Sequence, residues 1–235
     1  MQIFENDSEI SLEEFKEKFS DYGHITSSLS RDLTGKIIIE GEKISYQADG
    51  LSPLFIDINK SYRYHQKTFV KRSKYKDPMA RALGIKPGNN IESVLDATGG
   101  FLADTLLIKS IGVKNITVFE RHPIPALLIK NALSLNPIEG IDFHFSDVYE
   151  CNKKFDVVYY DPMYDNFNVK AAPKKEMQIL RALECSTEKD DKVFDHLLSM
   201  AIKRLVVKRS IKAPPIRENP QGSILGKSTR YDIYF

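Results

Sequence analysis

Short apolar runs alternate with amphipathic segments over residues 77–235, and this alternation constrains the fold more than any other feature. We predict strands at 93–96, 115–120, 142–145, 155–160 and 204–208, with helices at 77–84, 103–111, 124–135, 174–183 and 190–201. Two further runs, 223–227 and 230–235, are predicted to be late strands. This order is typical of an α/β protein with a doubly wound, mostly parallel sheet. The apolar 155–160 run suits a central strand.

The first 75 residues lack this alternation. A helix is predicted over 9–19, with Ser11 as its N-cap and Glu14 completing a capping box. Runs at 36–40, 43–46 and 54–58 look like strands, and the first two flank a Gly41 turn that suggests a hairpin. We therefore predict a small α+β domain over residues 1–75, followed by the α/β domain over 76–235.

The composition is that of an ordinary globular protein: 235 residues, of which 42% are hydrophobic and 28% charged. No apolar run approaches the roughly 18 residues of a membrane span, and the acidic start is unlike a signal peptide. Two cysteines provide no disulfide framework, and the histidines lack metal-ligand spacing. We expect a cytoplasmic protein with no membrane association and no metal.

Charge is segregated along the chain although the net charge is only +2. Residues 58–76 and 203–217 contain no acid, whereas residues 1–21 are acid-rich. Such asymmetry suggests a polyanionic partner. Aromatic residues interleave the first basic stretch, where they can stack on unpaired bases while Lys67, Lys71 and Arg72 contact phosphates. The alternative is a solvated amphipathic helix whose aromatics pack on the protein.

The stretch 93–104 is predicted to be a strand, a tight turn and the start of a helix. Asp96 ends the strand, and Thr98, Gly99 and Gly100 form the turn. Glycines allow unusual backbone angles and a close approach of a ligand to the main chain. Turns of this kind hold nucleotides or nucleosides in open α/β sheets, so Asp96, Thr98, Gly99 and Gly100 are predicted to contact a cofactor. By itself the turn is weak evidence, because Leu102 stands where a third glycine would complete a Gly-x-Gly pattern.

Polar residues follow the other predicted strands at their carboxyl ends. Glu120 can accept both hydroxyls of a ribose, which would also suit NAD. Asp104 and Arg121 are placed to meet the charged ends of a ligand, and Ser146-Asp147 to meet an adenine amine. Each could singly be a surface residue; their recurrence after successive strands favours a nucleoside site.

The segment Asp161-Pro162-Met163-Tyr164 follows the predicted central strand. A nucleobase amine is a poor nucleophile because its lone pair is delocalised into the ring. The Asp161 carboxylate and the Pro162 carbonyl can bind the hydrogens of such an amine and aim its nitrogen, and proline stiffens the turn. Tyr164 offers a stacking surface for the base.

These four residues resemble the (Asp/Asn)-Pro-Pro-(Tyr/Phe) motif of S-adenosylmethionine-dependent amino-methyltransferases. More closely, the chain resembles the ribosomal RNA small subunit methyltransferase J family over about residues 54–235. The matching segments are residues 77–86, 95–100, 120–121, 157–164, 174–177, 206–209, 213–215, 226–227 and 230–234.

The resemblance implies a class I methyltransferase (Rossmann-like) fold with an antiparallel last strand. It implies methylation of the N2 amine of one guanosine in small-subunit (16S) rRNA, with S-adenosylmethionine as cofactor and rRNA or the small subunit as partner. The implied cofactor contacts are Ala103, Asp104, Glu120, Arg121, Ser146, Asp147 and Asp161. An arginine of the family pattern is replaced here by Ala103, so any contact there is through backbone; the first fifty residues resemble no family we can name.

Six further cations are candidates for rRNA phosphates: Lys174, Lys175, Lys208, Arg209, Lys227 and Arg230. Three other functions remain open on the sequence. An N6-adenine RNA or DNA methyltransferase would use the same tetrapeptide, and a non-catalytic RNA-binding or assembly protein would keep the fold. An NAD-linked oxidoreductase is disfavoured because no acid/base pair for hydride transfer is visible.

Overall fold

The computed structural model describes residues 1–30, 32–71, 73–89, 91–162, 174–183 and 191–235. The strands are β1 (Gln2–Glu5), β2 (Ser8–Glu9), β3 (Lys36–Glu40), β4 (Lys43–Gln47), β5 (Ser93–Asp96), β6 (Asn115–Glu120), β7 (Ile141–Phe145), β8 (Phe155–Tyr160), β9 (Ala201–Ser210), β10 (Gly222–Leu225) and β11 (Thr229–Tyr234). The helices are α1 (Leu12–Lys18), α2 (His24–Ser27), α3 (Ile58–Lys71), α4 (Pro78–Leu83), α5 (Ala103–Ile111), α6 (Pro123–Leu135), α7 (Lys175–Ala182) and α8 (Asp191–Met200).

Seven strands form the main sheet in the order β10-β11-β9-β8-β5-β6-β7. Neighbours from β9 to β7 run parallel, and β11 runs antiparallel to both β9 and β10. The predicted class I arrangement with an antiparallel last strand is thereby confirmed. Because β5, β6, β7 and β8 are parallel, their carboxyl ends meet at one edge of the sheet, where the predicted site residues lie.

Local sequence signals account for most element boundaries. The predicted bounds of β5, β6, β8 and α5 are those observed. Ser11 caps α1 in a complete capping box with Glu14, as predicted. Asp77 caps α4, and Gly84 ends it in the left-handed conformation.

The N-terminal region differs from the prediction at several places. The helix predicted over 9–19 spans only Leu12–Lys18, and α2 was not predicted. Residues 54–58 do not form a strand: Leu54 makes an isolated bridge with Tyr46, and Ile58 opens α3. Two short strands, β1 and β2, were not predicted, and β1 pairs in parallel with β3 in a four-stranded sheet. Parallel pairing with a strand so distant in sequence leaves no local turn signal.

Strand β4 of the N-terminal sheet packs on α6, where it meets Asn131, and α3 packs on α5. The buried Asn131 amide accepts from the Ile44 N–H at 2.8 Å and donates to the Glu42 carbonyl at 2.8 Å. One cluster of buried apolar side chains extends from Ile3 to Tyr231 across both sheets. The division into domains 1–75 and 76–235 stays a prediction.

Among the described residues, no helix has both the length and the apolar character needed to traverse a bilayer.

Candidate active site

A cavity of about 1070 Å³ opens at the carboxyl ends of β5, β6, β7 and β8. This volume is slightly above the usual range for small-molecule sites, so the cavity can hold a nucleoside cofactor with space for part of a second ligand. Helices α3 and α7 form much of the remaining wall. Ten of the predicted cofactor residues line it: Thr98, Gly99, Gly100, Ala103, Asp104, Glu120, Arg121, Ser146, Asp147 and Asp161.

The glycine turn after β5 lies tight against β6. The Gly99 N–H donates to the Phe119 carbonyl at 2.8 Å, and a Cβ at Gly99 would stand 2.9 Å from a Val118 methyl. Gly100 has φ +53°, which favours glycine. Leu102 reaches φ +63° without being glycine, and its buried side chain anchors the start of α5. The turn thus needs two glycines, and the missing third is replaced by a leucine that packs into the core.

Asp96 lies beneath this turn and does not line the cavity. Its side chain accepts hydrogen bonds from the Thr98 N–H at 3.1 Å and from the Thr105 hydroxyl at 2.6 Å, and the residue is 1% exposed. Burial raises the pKa of Asp96 to about 7. The predicted direct contact with a cofactor does not fit this position, because both carboxylate oxygens brace the turn against α5.

Glu120 links the ends of β5 and β6. One carboxylate oxygen accepts the Gly100 N–H at 2.8 Å and the other accepts the His122 N–H at 2.7 Å. Burial raises the pKa of Glu120 despite these bonds. Each carboxylate oxygen has a second lone pair, so Glu120 can hold the turn and still accept a hydroxyl from a ligand.

Asp147 marks the end of β7 on the same rim. Its carboxylate accepts the Tyr149 N–H at 3.0 Å and lies 3.8 Å from the Arg121 guanidinium. The Ser146 hydroxyl bonds the Asp147 carbonyl at 3.3 Å. These contacts orient polar groups around one part of the cavity; the contact of Ser146 and Asp147 with an adenine amine stays a prediction.

Asp161 follows β8, and its backbone is tied to the glycine turn. The Asp161 N–H donates to the Thr98 hydroxyl at 2.8 Å. The Lys208 ammonium of β9 donates to Asp161 Oδ2 at 2.8 Å and to Asp104 Oδ2 at 2.7 Å. Tyr159 also donates to Asp104 Oδ2, at 2.6 Å. Two carboxylates therefore share one cation on the cavity wall.

The contacts among Asp104, Asp161 and Lys208 determine the protonation states of these three side chains. Burial raises the pKa of Asp161 to about 6, with Lys208 opposing the rise and Asp104 adding to it. Burial acts in the same direction on Asp104, but the charge and hydrogen bonds of Lys208 outweigh it and hold the pKa below its ordinary value. The Lys208 pKa is raised, because the two carboxylates outweigh the effect of burial. At neutral pH the ionised form of Asp161 predominates.

The predicted RNA contacts fall into different environments. Lys67, Lys71, Lys174 and Lys227 are exposed, and Lys175 donates to the Pro53 carbonyl at 2.7 Å. Arg209 is 4% exposed and donates to the Pro214 carbonyl, so a phosphate contact does not fit its position. Lys208 lies in the cavity wall, and Arg230 pairs with the buried Asp232 at 2.7 Å. Arg72 and Tyr164 lie outside the described residues.

The contribution of α3 to the cavity wall was not predicted from the sequence. Lys60, Ser61, Tyr64 and His65 line the cavity opposite the strand ends. Burial lowers the pKa of His65, which favours the neutral ring. Helical spacing of the basic and aromatic residues was visible in the sequence, but which helix face meets the sheet depends on tertiary packing.

Comparisons with known proteins agree with this geometry. A family model described as "Putative SAM-dependent methyltransferase" matches residues 36–235. The ribosomal RNA small subunit methyltransferase J of Thioalkalivibrio sulfidiphilus is 30% identical over 84% of this chain and 83% of its own length. The protein of the same name from Haemophilus ducreyi is 34% identical over 67% of this chain and 68% of its own length.

This chain belongs to the ribosomal RNA small subunit methyltransferase J family. The structure of the SAM-dependent methyltransferase NGO1261 from Neisseria gonorrhoeae shows the same fold, with a TM-score of 0.66 and 24% identity over 99% of this chain and 94% of the other. As a member of the methyltransferase J family, the protein is a methyltransferase that uses S-adenosylmethionine.

The cavity of this family member suits that cofactor in its size and its polar groups. Gly100 presents bare backbone to the cavity, and a Cβ there would stand 3.7 Å from Leu180 on α7, so a longer side chain would narrow it. Glu120 offers acceptors for ribose hydroxyls, and Asp147 offers one for an amine. Ala103 contributes no polar side chain, so its predicted contact can be made only by backbone.

Proposed function

We propose that this chain transfers a methyl group from S-adenosylmethionine to the N2 amine of one guanosine in small-subunit ribosomal RNA, in the cytoplasm. The observation that supports it best is the position of Asp161. Its backbone is bonded to Thr98 of the glycine turn, and its side chain lines the same cavity as Glu120 and Asp147. The printed names of the relatives, which specify small-subunit rRNA, support the choice of substrate.

The main task of the protein in this reaction is to align the amine nitrogen with the methyl group of the cofactor. When bound, the cofactor supplies an electrophilic methyl group on a sulfonium. The Asp161 carboxylate and the Pro162 carbonyl would accept hydrogen bonds from the amine and hold its nitrogen in line, which is the contribution that orientation makes to such reactions. An ionised Asp161 can also accept the proton that the nitrogen loses. Tyr164 is proposed to stack on the guanine, which must leave its helix or loop stack to reach the cavity.

Helix α3 supports an RNA partner. Lys60, Arg63, Lys67 and Lys71 lie three or four residues apart, so they share one face of the helix, and all four are exposed. None of the four forms an ion pair with another described residue. Tyr64 lies among them and is 69% exposed. Since Lys60 and Tyr64 also line the cavity, this face forms a basic track that leads RNA to the site.

Lys174, Lys175 and Lys227 are kept as proposed phosphate contacts. Lys174 lines the cavity and Lys175 begins α7 beside it.

Methylation of adenine N6 is the alternative function. The hydrogen-bond acceptors of Asp161 and Pro162 would bind the adenine amine equally well. A protein that only binds rRNA would not need a carboxylate held ionised in a cofactor cavity.

The proposal is tested by methylation with trideuteromethyl S-adenosylmethionine and unmodified small-subunit rRNA, followed by nucleoside mass spectrometry. The natural protein should yield N2-(trideuteromethyl)guanosine. Asp161→Ala should reduce the rate at least about 100-fold, the scale of a lost aligning or proton-accepting group, and should leave the melting temperature close to that of the natural protein.

Glu218→Ala provides the matched control, since Glu218 is an exposed acid that does not line the cavity. Label on adenosine would establish the alternative. Undiminished turnover by Asp161→Ala would remove this residue from the mechanism.

A further inference from the structure

Lys208 is a cation placed between two carboxylates inside the cavity rather than on an outer surface. Its ammonium contacts Asp104 Oδ2 and Asp161 Oδ2 at 2.7 and 2.8 Å. The side chain of Lys208 is 23% exposed, that of Asp104 23% and that of Asp161 35%. Partly desolvated charged groups interact more strongly than ion pairs at the surface. The contact with Lys208 therefore influences the protonation state of Asp161.

We propose that Lys208 is a positioning residue that keeps Asp161 ionised and turns its carboxylate toward the substrate amine. This inference rests on the function proposed above. Lys208 contacts Oδ2 of Asp161 and thereby favours presentation of Oδ1 to the amine. Asp104 shares the same ammonium, and Tyr159 fixes Asp104 by its own hydrogen bond at 2.6 Å. The four side chains come from α5, β8, the residue after β8, and β9.

Asp161 would otherwise favour its neutral form. Burial and the neighbouring Asp104 both raise its pKa, and Lys208 opposes them. Without the ammonium, two carboxylates would face each other and would tend to share a proton. The ionisable groups that interact with this cluster from the surrounding elements are His65 of α3, Asp96 of β5, Tyr159 of β8 and Tyr231 of β11. Asp77, before α4, interacts with His65 and Tyr231.

The direction of the pH effect follows from these charges. Asp161 acts in its ionised form, so the rate should fall as pH drops through about 6, its raised pKa. In Lys208→Met the acidic limb of kcat/KM for rRNA should move to higher pH by at least about one unit. At pH 6.5 a shift of one unit should make that variant roughly threefold slower than the natural protein, a larger shift should slow it further, and part of the rate should return near pH 9.

Three companion variants separate positioning from a structural role. Lys208→Arg keeps a permanent cation and should hold the limb near its natural position. Asp104→Asn removes the neighbouring negative charge and should move the limb to lower pH. Lys203→Met is the matched control: Lys203 lies on the same strand and pairs with Asp156 at 3.0 Å, outside the cavity. It should leave the pH profile unchanged.

A second measurement does not depend on the reaction. In protein labelled with carbon-13 at aspartate carboxyls, the Asp161 resonance should titrate near pH 6 and should titrate at higher pH in Lys208→Met. An unchanged titration or an unshifted acidic limb in a folded Lys208→Met variant would overturn the inference. If the natural protein methylates no rRNA, the proposed function fails, and the carboxyl titration still decides the role of Lys208.

Discussion

Glu120 shows how one side chain can serve both the fold and the site. Its two carboxylate oxygens bind the N–H groups of Gly100 and His122, which follow neighbouring strands. The same carboxylate lines the cavity where a ribose is expected. A glutamine would place an NH₂ group opposite one of these N–H donors, so the exchange removes an acceptor and disturbs the turn.

Glu120→Gln should therefore weaken S-adenosylmethionine binding by about 10- to 100-fold, the range expected when hydrogen bonds to a charged group are lost. Isothermal titration calorimetry measures this directly. Glu218→Gln, an exposed exchange of the same kind outside the cavity, should leave the affinity unchanged. An affinity equal to that of the natural protein in Glu120→Gln would show that Glu120 serves the fold alone.

Single residues near the strand ends could be predicted from the sequence because parallel strands bring their carboxyl ends together. Gly99, Glu120 and Asp161 were placed in one site on that ground. The contact of Lys208 with Asp104 and Asp161 could not be predicted. Lys208 is separated by 104 positions from Asp104 and by 47 from Asp161, and they meet only because β8 and β9 are neighbours in the sheet. Asp96 looked like a ligand contact and proved to be a brace, because its burial is a property of the packed turn.

Helix α3 is the element that joins the N-terminal region to the site. Its cationic face begins at the cavity with Lys60 and extends along the helix to Lys71. Contacts between cations and phosphates release counterions, so the affinity for nucleic acid falls with salt in proportion to their number. The helix can therefore be tested separately from the chemistry.

The double variant Arg63→Ala/Lys67→Ala should bind small-subunit rRNA more weakly, and its plot of log affinity against log salt should be flatter by about two. Fluorescence anisotropy at several salt concentrations gives both quantities. Lys153→Ala/Lys154→Ala removes two exposed cations at the amino end of β8, away from the cavity, and should change neither. Equal slopes in the two double variants would exclude α3 as the RNA track.

Helices and strands could be predicted best where a continuous or periodic apolar pattern ended at a residue that terminates the element. Strand β8 and helix α5 are examples, the second ending at Gly112 in the left-handed conformation. The strand predicted over 54–58 was wrong. Strand-like composition does not by itself supply a neighbouring strand to pair with, and here Ile58 starts a helix. Strands β1 and β2, of four and two residues, are too short to show a period.

The whole molecule combines a cofactor sheet with an N-terminal region that completes the cavity wall. Asn131 and the shared apolar core join the two, and α3 carries the N-terminal contribution to the cavity. The fold class could be predicted from alternation alone. The order of the seven strands and the seating of the N-terminal sheet on α6 could not, since they depend on contacts between distant segments.

The central claim is that this molecule places one methyl group on one guanine amine of the small-subunit rRNA. It is tested most directly by nucleoside and fragment mass spectrometry of small-subunit rRNA from cells that lack the protein. We predict the loss of a single N2-methylguanosine, restored by the natural gene and not by Asp161→Ala. An unchanged set of N2-methylguanosines, or the loss of an N6-methyladenosine instead, would contradict this account.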